Sequence, residues 1–546
     1  MARMTGGQAV VESLIAQGVD TVFGIVSVHN LHIFDALKDA VKDGRLRFVG
    51  ARHEHAAGCM ADGYARATGR PGVYITSSGP GAADSIGAMG ESYHSSVPVL
   101  QVTTEIETEW LGQGLGATHE ARDQLAMFGA VADFRAMPLS VEDVPNQIAS
   151  AFDHMRTHHP RPSVVAVPTD LLGQSADAEV VPRRLPALQH AAPAVIADAV
   201  RLLSQAERPV IWAGSGVMAS EATPELIELA ERLGAPVALA DGGKGAFPED
   251  HPLCLGSALH ERFWGQNPVS EYLATCDAML IVGSSVPLRS TKGVGLAFPR
   301  NIVQVDIDRA MFGRNYPTAV GLEGDAKAVL GQLLAAMEST KRTDAGNAAE
   351  IADLRARVQQ SVATQFGNEA RLFSAIRNVI GRDAVVVADP NIPAYAAQRV
   401  LPVYEPRTFF HPHGWVGIGY AFPASLGAKV GMPQRRVVCV TGDGGFQYNL
   451  QELGTAVQHG IAPVVLLFND NAWGALQSYQ RRQFDERYFG VKLDNPDFQA
   501  LAAAYGIEAD RVARLDQFVD ALEAAVRSDA ARIIEVEIPD GVANFV

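Results

Sequence analysis

The sequence predicts an α/β fold of three domains, each with a mostly parallel sheet flanked by helices. Three observations predict it. At 546 residues the chain exceeds what one hydrophobic core supports, and a prior of about 150 residues per domain suggests three or four. Short apolar runs, such as 437–440 and 463–468, end at Gly, Asp or Asn and alternate with helix-length segments, as in βαβ units with buried parallel strands. A Pro- and Ala-rich stretch over 181–193 and a polar, Ala-rich helical segment from about 340 to 365 divide the chain. The expected domains are 1–180, 190–340 and 365–546.

Composition narrows the partners. The chain is 47% hydrophobic and 19% charged, an ordinary globular balance. Its formal net charge of −16 argues against nucleic acid, because a phosphate backbone demands a basic face. Small molecules are the expected partners. Cys59, Cys254, Cys276 and Cys439 are scattered without CxxC spacing, which fits inert thiols in a reducing compartment. The start of the chain lacks a basic segment followed by an apolar core, and no run approaches the roughly 18 apolar residues of a membrane span. A cytoplasmic protein with no membrane partner is expected.

In the first domain a helix starts at Thr5, with Ala9, Val10, Leu14 and Ile15 on its apolar stripe, and a strand follows over 21–25. The loop Val26-Ser27-Val28-His29-Asn30 leads to a strand over 47–50 and a helix over 51–66, whose small residues permit close packing. Glu54 stands near the start of that helix, where an isolated carboxylate ordinarily does no more than complement the helix dipole. A strand over 73–76 precedes the Gly-rich turn Ser77-Ser78-Gly79-Pro80-Gly81-Ala82-Ala83. A strand over 99–103 precedes the loop Thr118-His119-Glu120, and a last strand lies in 161–170. His29, His32, His53, His55, His94 and His119 crowd this half, but their spacings make no metal motif.

The middle domain opens with a strand and Gly turn over 209–216 and a helix over 221–233. Its lone Gly-x-Gly is an incomplete dinucleotide fingerprint. Strands over 278–282 and 302–306 follow.

In the third domain a strand over 384–388 ends at Asp389-Pro390-Asn391, and the small-residue segment 414–428 comes next. The run over 437–440 then stops at Gly442-Asp443-Gly444-Gly445, a helix fits 449–459, and the run over 463–468 stops at Asn469-Asp470-Asn471. Two strand ends therefore present the oxygens of Asp443 and Asp470 at one sheet edge, a βαβ unit with a ligand site at its carboxyl end. Glycines admit backbone N–H groups to phosphate oxygens. Asp443, Asp470 and a backbone carbonyl near Ala472 supply the oxygen ligands that a hard cation prefers. A diphosphate held through a divalent cation is the chemistry this suits. A helix is expected over 473–480.

These stretches carry a family resemblance. The Gly-Asp-Gly followed one βαβ unit later by Asn-Asp resembles the signature of thiamine diphosphate-dependent enzymes. The segment E-x-A-A-x-x-x-A-D-G-Y-A-R-x-T-G from Glu54 closely resembles the first domain of their acetolactate synthase-like branch, which includes pyruvate and benzoylformate decarboxylases and 2-hydroxyacyl-CoA lyases. The turn at 77–83 is similar to TSGPGATN, VQVDID to VHIDID, and 414–428 to G-x-x-G-x-M/L/I-G-x-x-x-P-A-A-x-G-A. The likeness spans nearly the whole chain. It implies two thiamine diphosphate-binding folds around a central domain.

The resemblance also assigns roles. Glu54 would bond the cofactor's pyrimidine, where a buried carboxyl shares a proton with the ring nitrogen and makes the exocyclic amine acidic. Ile418 would wedge between the two rings, and the Val416 carbonyl would hold the amine. Asn391, Gly442, Gly444, Gly445, Trp473 and Gly474 would surround the cofactor with Asp443 and Asp470. Asp443, Asp470 and Ala472 would bind Mg2+, with Ca2+ or Mn2+ as alternatives. His29 and His119 lie on loops that match the family's substrate-facing loops, where a neutral imidazole can relay protons.

The implied function is a thiamine diphosphate- and magnesium-dependent C–C bond lyase or carboligase acting on 2-oxo acids. The expected assembly is a homodimer or homotetramer, joining Glu54 of one subunit to the metal loop of another. One alternative is an enzyme similar to 2-hydroxyacyl-CoA lyase or oxalyl-CoA decarboxylase, because residues 23–28 partly resemble the FGIVG loop; Arg289 with Lys292 is then the candidate pair for the CoA phosphates. Another is a cofactor-binding regulatory protein without turnover, which would have no need of Glu54. GSSVPLR over 283–289 departs from the GARFDDR of flavin-carrying synthases, so a bracing central domain without FAD is expected. Leu476 stands where pyruvate-type decarboxylases carry an acid, and Glu120 breaks their paired histidines.

Overall fold

Runs of Val, Ile and Leu that cannot remain in water form the centres of three six-stranded sheets, parallel throughout, in a computed structural model. It describes residues 2–257, 268–288, 291, 296–337, 348–528, 530–539, 541, 542, 545 and 546. In space the first sheet runs Arg47–Gly50, Thr21–Gly24, Gly72–Thr76, Val99–Glu105, Ser163–Pro168, Phe134–Ala136. The second runs Cys254–Ser257, Val237–Leu239, Pro209–Ala213, Ala278–Val282, Asn301–Asp306, Val320–Glu323. This order reverses direction at Pro209–Ala213, the switch point of a doubly wound sheet. The third runs Phe409–Phe410, Val385–Ala388, Val437–Gly442, Val464–Asn469, Arg532–Glu537, Glu508–Val512.

Several elements differ from the sequence-based expectation. Ala2–Thr5 pairs antiparallel with Ser175–Ala178, a short exposed ribbon without apolar alternation to announce it. Thr5 is the N-cap, not the first turn, of the helix Gly6–Ala16, in a capping box with Gln8. The helix expected over 449–459 is wrong in its start. Helix begins directly at the strand end as Asp443–Tyr448, breaks at Asn449, and resumes as Leu453–His459. Asn449 breaks it because its side chain donates to the Gly419 carbonyl at 2.7 Å, so the residue serves a neighbouring loop. The segment expected to be helical from about 340 lies partly outside the described residues. Its visible part is the longer helix Ala348–Ile380, kinked at Phe366.

One contact sets the relation of the outer domains. The helix Glu54–Thr68 packs on Ala421–Gly431 of the same chain, both rich in small residues. A Cβ on Gly63 would collide with the Ala424 carbonyl, and one on Gly427 with the Met60 carbonyl. Backbone therefore meets backbone at this crossing, and one continuous core cluster contains Ala56, Met60, Ala424 and Leu426.

Candidate functional site

Strands Val437–Gly442 and Val464–Asn469 are parallel neighbours in register, with Gly442 opposite Phe468. Asp443 and Asp470 thus leave the same sheet edge. Asp443 is 2% exposed, and its carboxylate accepts the Asn495 amide at 2.6 Å. Asn495 also donates to Asn469 at 2.9 Å and Asn471 at 3.2 Å, tying the two strand-end loops together. Burial pushes the Asp443 carboxyl up, and burial followed by the charge of Asp443 pushes Asp470 up to about 7. Two neighbouring carboxylates, one opposing the ionisation of the other, form a donor set suited to a hard cation.

The third-domain candidates meet on one cavity of about 360 Å³. Asn391, Val416, Ile418, Gly442, Asp443, Gly444, Gly445, Asp470, Ala472, Trp473 and Gly474 all line it. Asn391 caps the following helix through its side-chain oxygen, which accepts Ala394 N–H at 2.8 Å. Its Nδ2 is buried without a partner, an unsatisfied donor beside the cavity. Ile418 is only half-buried and faces this space rather than the core. Gly444 admits the Trp473 ring, to which a Cβ would come within 2.5 Å, and Gly445 admits the Asp389 carboxylate. Asp389 lines the same cavity, with its carboxylate engaged by the neighbouring loop. It is buried and accepts the Gly419 and Ala421 amides at 3.1 and 3.0 Å, with burial pushing it up to about 6. Trp473 caps the helix Gly474–Gln483 rather than entering it. These observations fit a diphosphate and its cation.

The first-domain candidates form a second group. Glu54 opens its helix, half-buried, over the Gly-rich turn: a Cβ on Gly81 would lie 3.2 Å from its Oε1 and 3.1 Å from Ser77 Cβ. Ser77 Oγ is 3.4 Å from Nδ1 of both His29 and His119, whose ring centroids are 4.2 Å apart. Burial, then the neighbouring His119, pushes His29 below the usual imidazole range. Glu120 folds back onto the Gly116 and Ala117 amides at 2.7 and 3.0 Å. Among the other histidines, half-buried His55 is pushed down to about 4 by desolvation, and His94 packs tilted against Trp415. Asn495 escapes a sequence reading, being a single polar residue with no pattern around it, and so does the place of Ser77 between the two histidines, although the Gly-rich turn it opens is readable. None of Glu54, His29 and His119 lines the cavity of Asp443.

The central domain borders a larger cavity, about 650 Å³, at the carboxyl ends of its sheet and the junction with both neighbours. Its Gly-x-Gly serves packing. A Cβ on Gly214 would collide with the Gly283 carbonyl, and one on Gly216 would lie 2.6 Å from Gly283 Cα. Arg289 and Lys292, the candidate CoA contacts, lie outside the described residues.

Comparison with known proteins agrees with this geometry. The thiamine pyrophosphate enzyme family matches in its N-terminal TPP binding domain over residues 4–127, its central domain over 196–333 and its C-terminal TPP binding domain over 392–536. The chain belongs to this family of thiamine diphosphate-dependent enzymes, in its acetolactate synthase-like branch. Similar proteins include a probable 2-ketoarginine decarboxylase of Pseudomonas aeruginosa, 36% identical over 98% of this chain and 94% of the relative. A probable acetolactate synthase large subunit of Methanocaldococcus jannaschii is 31% identical over 98% and 92%. The acetolactate synthase isozyme 2 large subunit of Escherichia coli is 30% identical over 98% and 96%.

Proposed function

We propose that the protein is a magnesium-dependent C–C bond lyase that decarboxylates a 2-oxo acid, with carboligation to a second carbonyl as its synthase-like outcome. The carrying observation is the Asp443–Asp470 pair at one edge of a glycine-lined cavity. Thiamine diphosphate, when bound, would supply a nucleophilic carbon and an electron sink. Asp443, Asp470 and the Ala472 carbonyl hold the cation, and Asn391 Nδ2 donates to the diphosphate. The Val416 carbonyl accepts the cofactor's amine, Ile418 fills the space between its rings, and Glu54 holds a proton at its pyrimidine nitrogen. His29 and His119, joined through Ser77, face the substrate and exchange protons with it.

Glu54 reaches the cavity from a second copy of the chain, so the working unit is a homodimer or a homotetramer. The exposed apolar side chains Val26 and Val28 beside one half, and Leu476 and Phe489 beside the other, support this assembly. No helix among the described residues is long and apolar enough to cross a membrane, and we place the enzyme in the cytoplasm. Among the described residues no Lys or Arg lines the 360 Å³ cavity.

The test is a panel of 2-oxo acids, including pyruvate and 2-ketoarginine, beside 2-hydroxyacyl-CoA esters, assayed with thiamine diphosphate and Mg2+ by carbon dioxide release and product mass spectrometry. At least one 2-oxo acid is expected to lose carbon dioxide only when both cofactor and cation are present. Cleavage of a CoA ester with every 2-oxo acid inert would overturn the proposal.

A further inference from the structure

We propose that Glu91 is a positioning residue that clamps Val416 in a left-handed backbone conformation and so presents the Val416 carbonyl and the Ile418 side chain to the cofactor cavity. Val416 has φ +60°. A β-branched residue in that region is strained and persists only where its surroundings over-determine it. The surroundings here come from the first domain. Glu91, on the helix Ile86–Ser95 and 2% exposed, accepts the Trp415 and Val416 amides on one oxygen, each at 3.2 Å.

Its other oxygen accepts Arg66 at 3.2 Å and Ser95 at 2.5 Å. Arg66 in turn donates to Asp62 at 2.6 Å, and Asp62 accepts the Tyr420 hydroxyl at 2.5 Å. The loop bearing Ile418 is therefore held on both sides of that residue, at 415–416 and at 420, by one buried network. Packing supports the same register. The His94 and Trp415 rings lie 5.2 Å apart, Gly90 leaves room for Trp415, to which a Cβ would come within 2.7 Å, and a Cβ on Gly414 would collide with His94. An interdomain contact with no other task would not need both oxygens of a buried carboxylate, one of them spent on the amide of a strained residue.

The inference rests on the proposed roles of Val416 and Ile418, and its test separates the two. In cofactor-free protein, Glu91→Ala is expected to raise deuterium uptake over 414–418 while the helices Ile86–Ser95 and Ala421–Gly431 stay protected. With cofactor and Mg2+, exchange of the cofactor's C2 proton should fall about a hundredfold, as for a reacting group displaced by an ångström, while cofactor affinity by calorimetry changes less than about threefold. Adding Val416→Gly should restore C2-proton exchange to within about threefold of the parent, because glycine adopts this backbone unaided. If Glu91→Ala does not fold, Glu91→Gln carries the same comparison with a smaller loss. Unchanged exchange in a folded Glu91 variant, or a loss that Val416→Gly does not restore, would overturn the proposal. A parent protein that binds no thiamine diphosphate would sink the proposed function, and the cofactor-free deuterium measurement would still decide the clamp.

Discussion

At the scale of single residues, the proposed function divides labour between an acid that activates, Glu54, and acids that anchor, Asp443 and Asp470. Glu54→Gln keeps the shape of the side chain and removes its proton chemistry. We expect cofactor binding to persist while C2-proton exchange and turnover fall by about 10²- to 10⁴-fold; exchange at the parent rate would remove Glu54 from the mechanism. Asp470 adds a second carboxylate beside Asp443, so it attracts a hard cation and repels a diphosphate when the cation is absent. Cofactor affinity should therefore depend more steeply on magnesium in the parent than in Asp470→Asn, and identical titrations would refute this. Asp443 and Asp470 were legible in the sequence because each ends an apolar run, and Glu54 because it begins a recognisable segment. Ser77, Asn495 and Glu91 were not. Ser77 meets its two histidines 42 and 48 residues away, Asn495 its partners 24 to 52 away, and Glu91 the Trp415 and Val416 amides more than 300 away, and nothing local marks these contacts.

At the scale of elements, glycine decides more than periodicity does. The helix Asp443–Tyr448 was unreadable because Gly444 and Gly445 disfavour helix, yet both are required where Trp473 and Asp389 press on the backbone. The three sheets were legible because buried parallel strands are continuous apolar runs. Gly63 and Gly427 make a quantitative case. Gly63→Ala or Gly427→Ala forces a methyl against a carbonyl and should destabilise the chain by about 1–3 kcal/mol, read from denaturant midpoints at unchanged m-value. A midpoint that does not move would show that the crossing can relax.

At the scale of the whole molecule, the outer domains are coupled through Glu452, a fully buried acid of the third domain. It accepts the Arg52 amide at 3.0 Å and the Thr455 hydroxyl at 2.6 Å. Burial pushes its carboxyl up to about 7. The folded state thus holds this proton more tightly than the unfolded chain, so the group's contribution to stability is full below the ordinary glutamate range and is lost as pH rises through about 7. The melting temperature of Glu452→Gln relative to the parent should therefore rise between pH 5 and 8, and a constant offset would argue against the shift.

Assembly gives a second test at this scale. Glu54→Gln and Asp443→Ala are each expected to be inactive, but mixed subunits should recover about a quarter of parent activity, since half the dimers then carry one intact site of two. A mixture that stays inactive would place each site within a single chain.

The backbone contact at Gly63 and Gly427 also bears on how such an enzyme can diversify. Glu54 lies nine residues before one glycine, and Ile418 nine residues before the other. Neither helix can slide without a collision. If the proposed roles of Glu54 and Ile418 hold, substitutions that change substrate scope are expected at exposed positions beside the site, such as Val26, Val28 and Leu476, and not in the two helices. The chemistry stays fixed in its register while the walls around it remain free to vary.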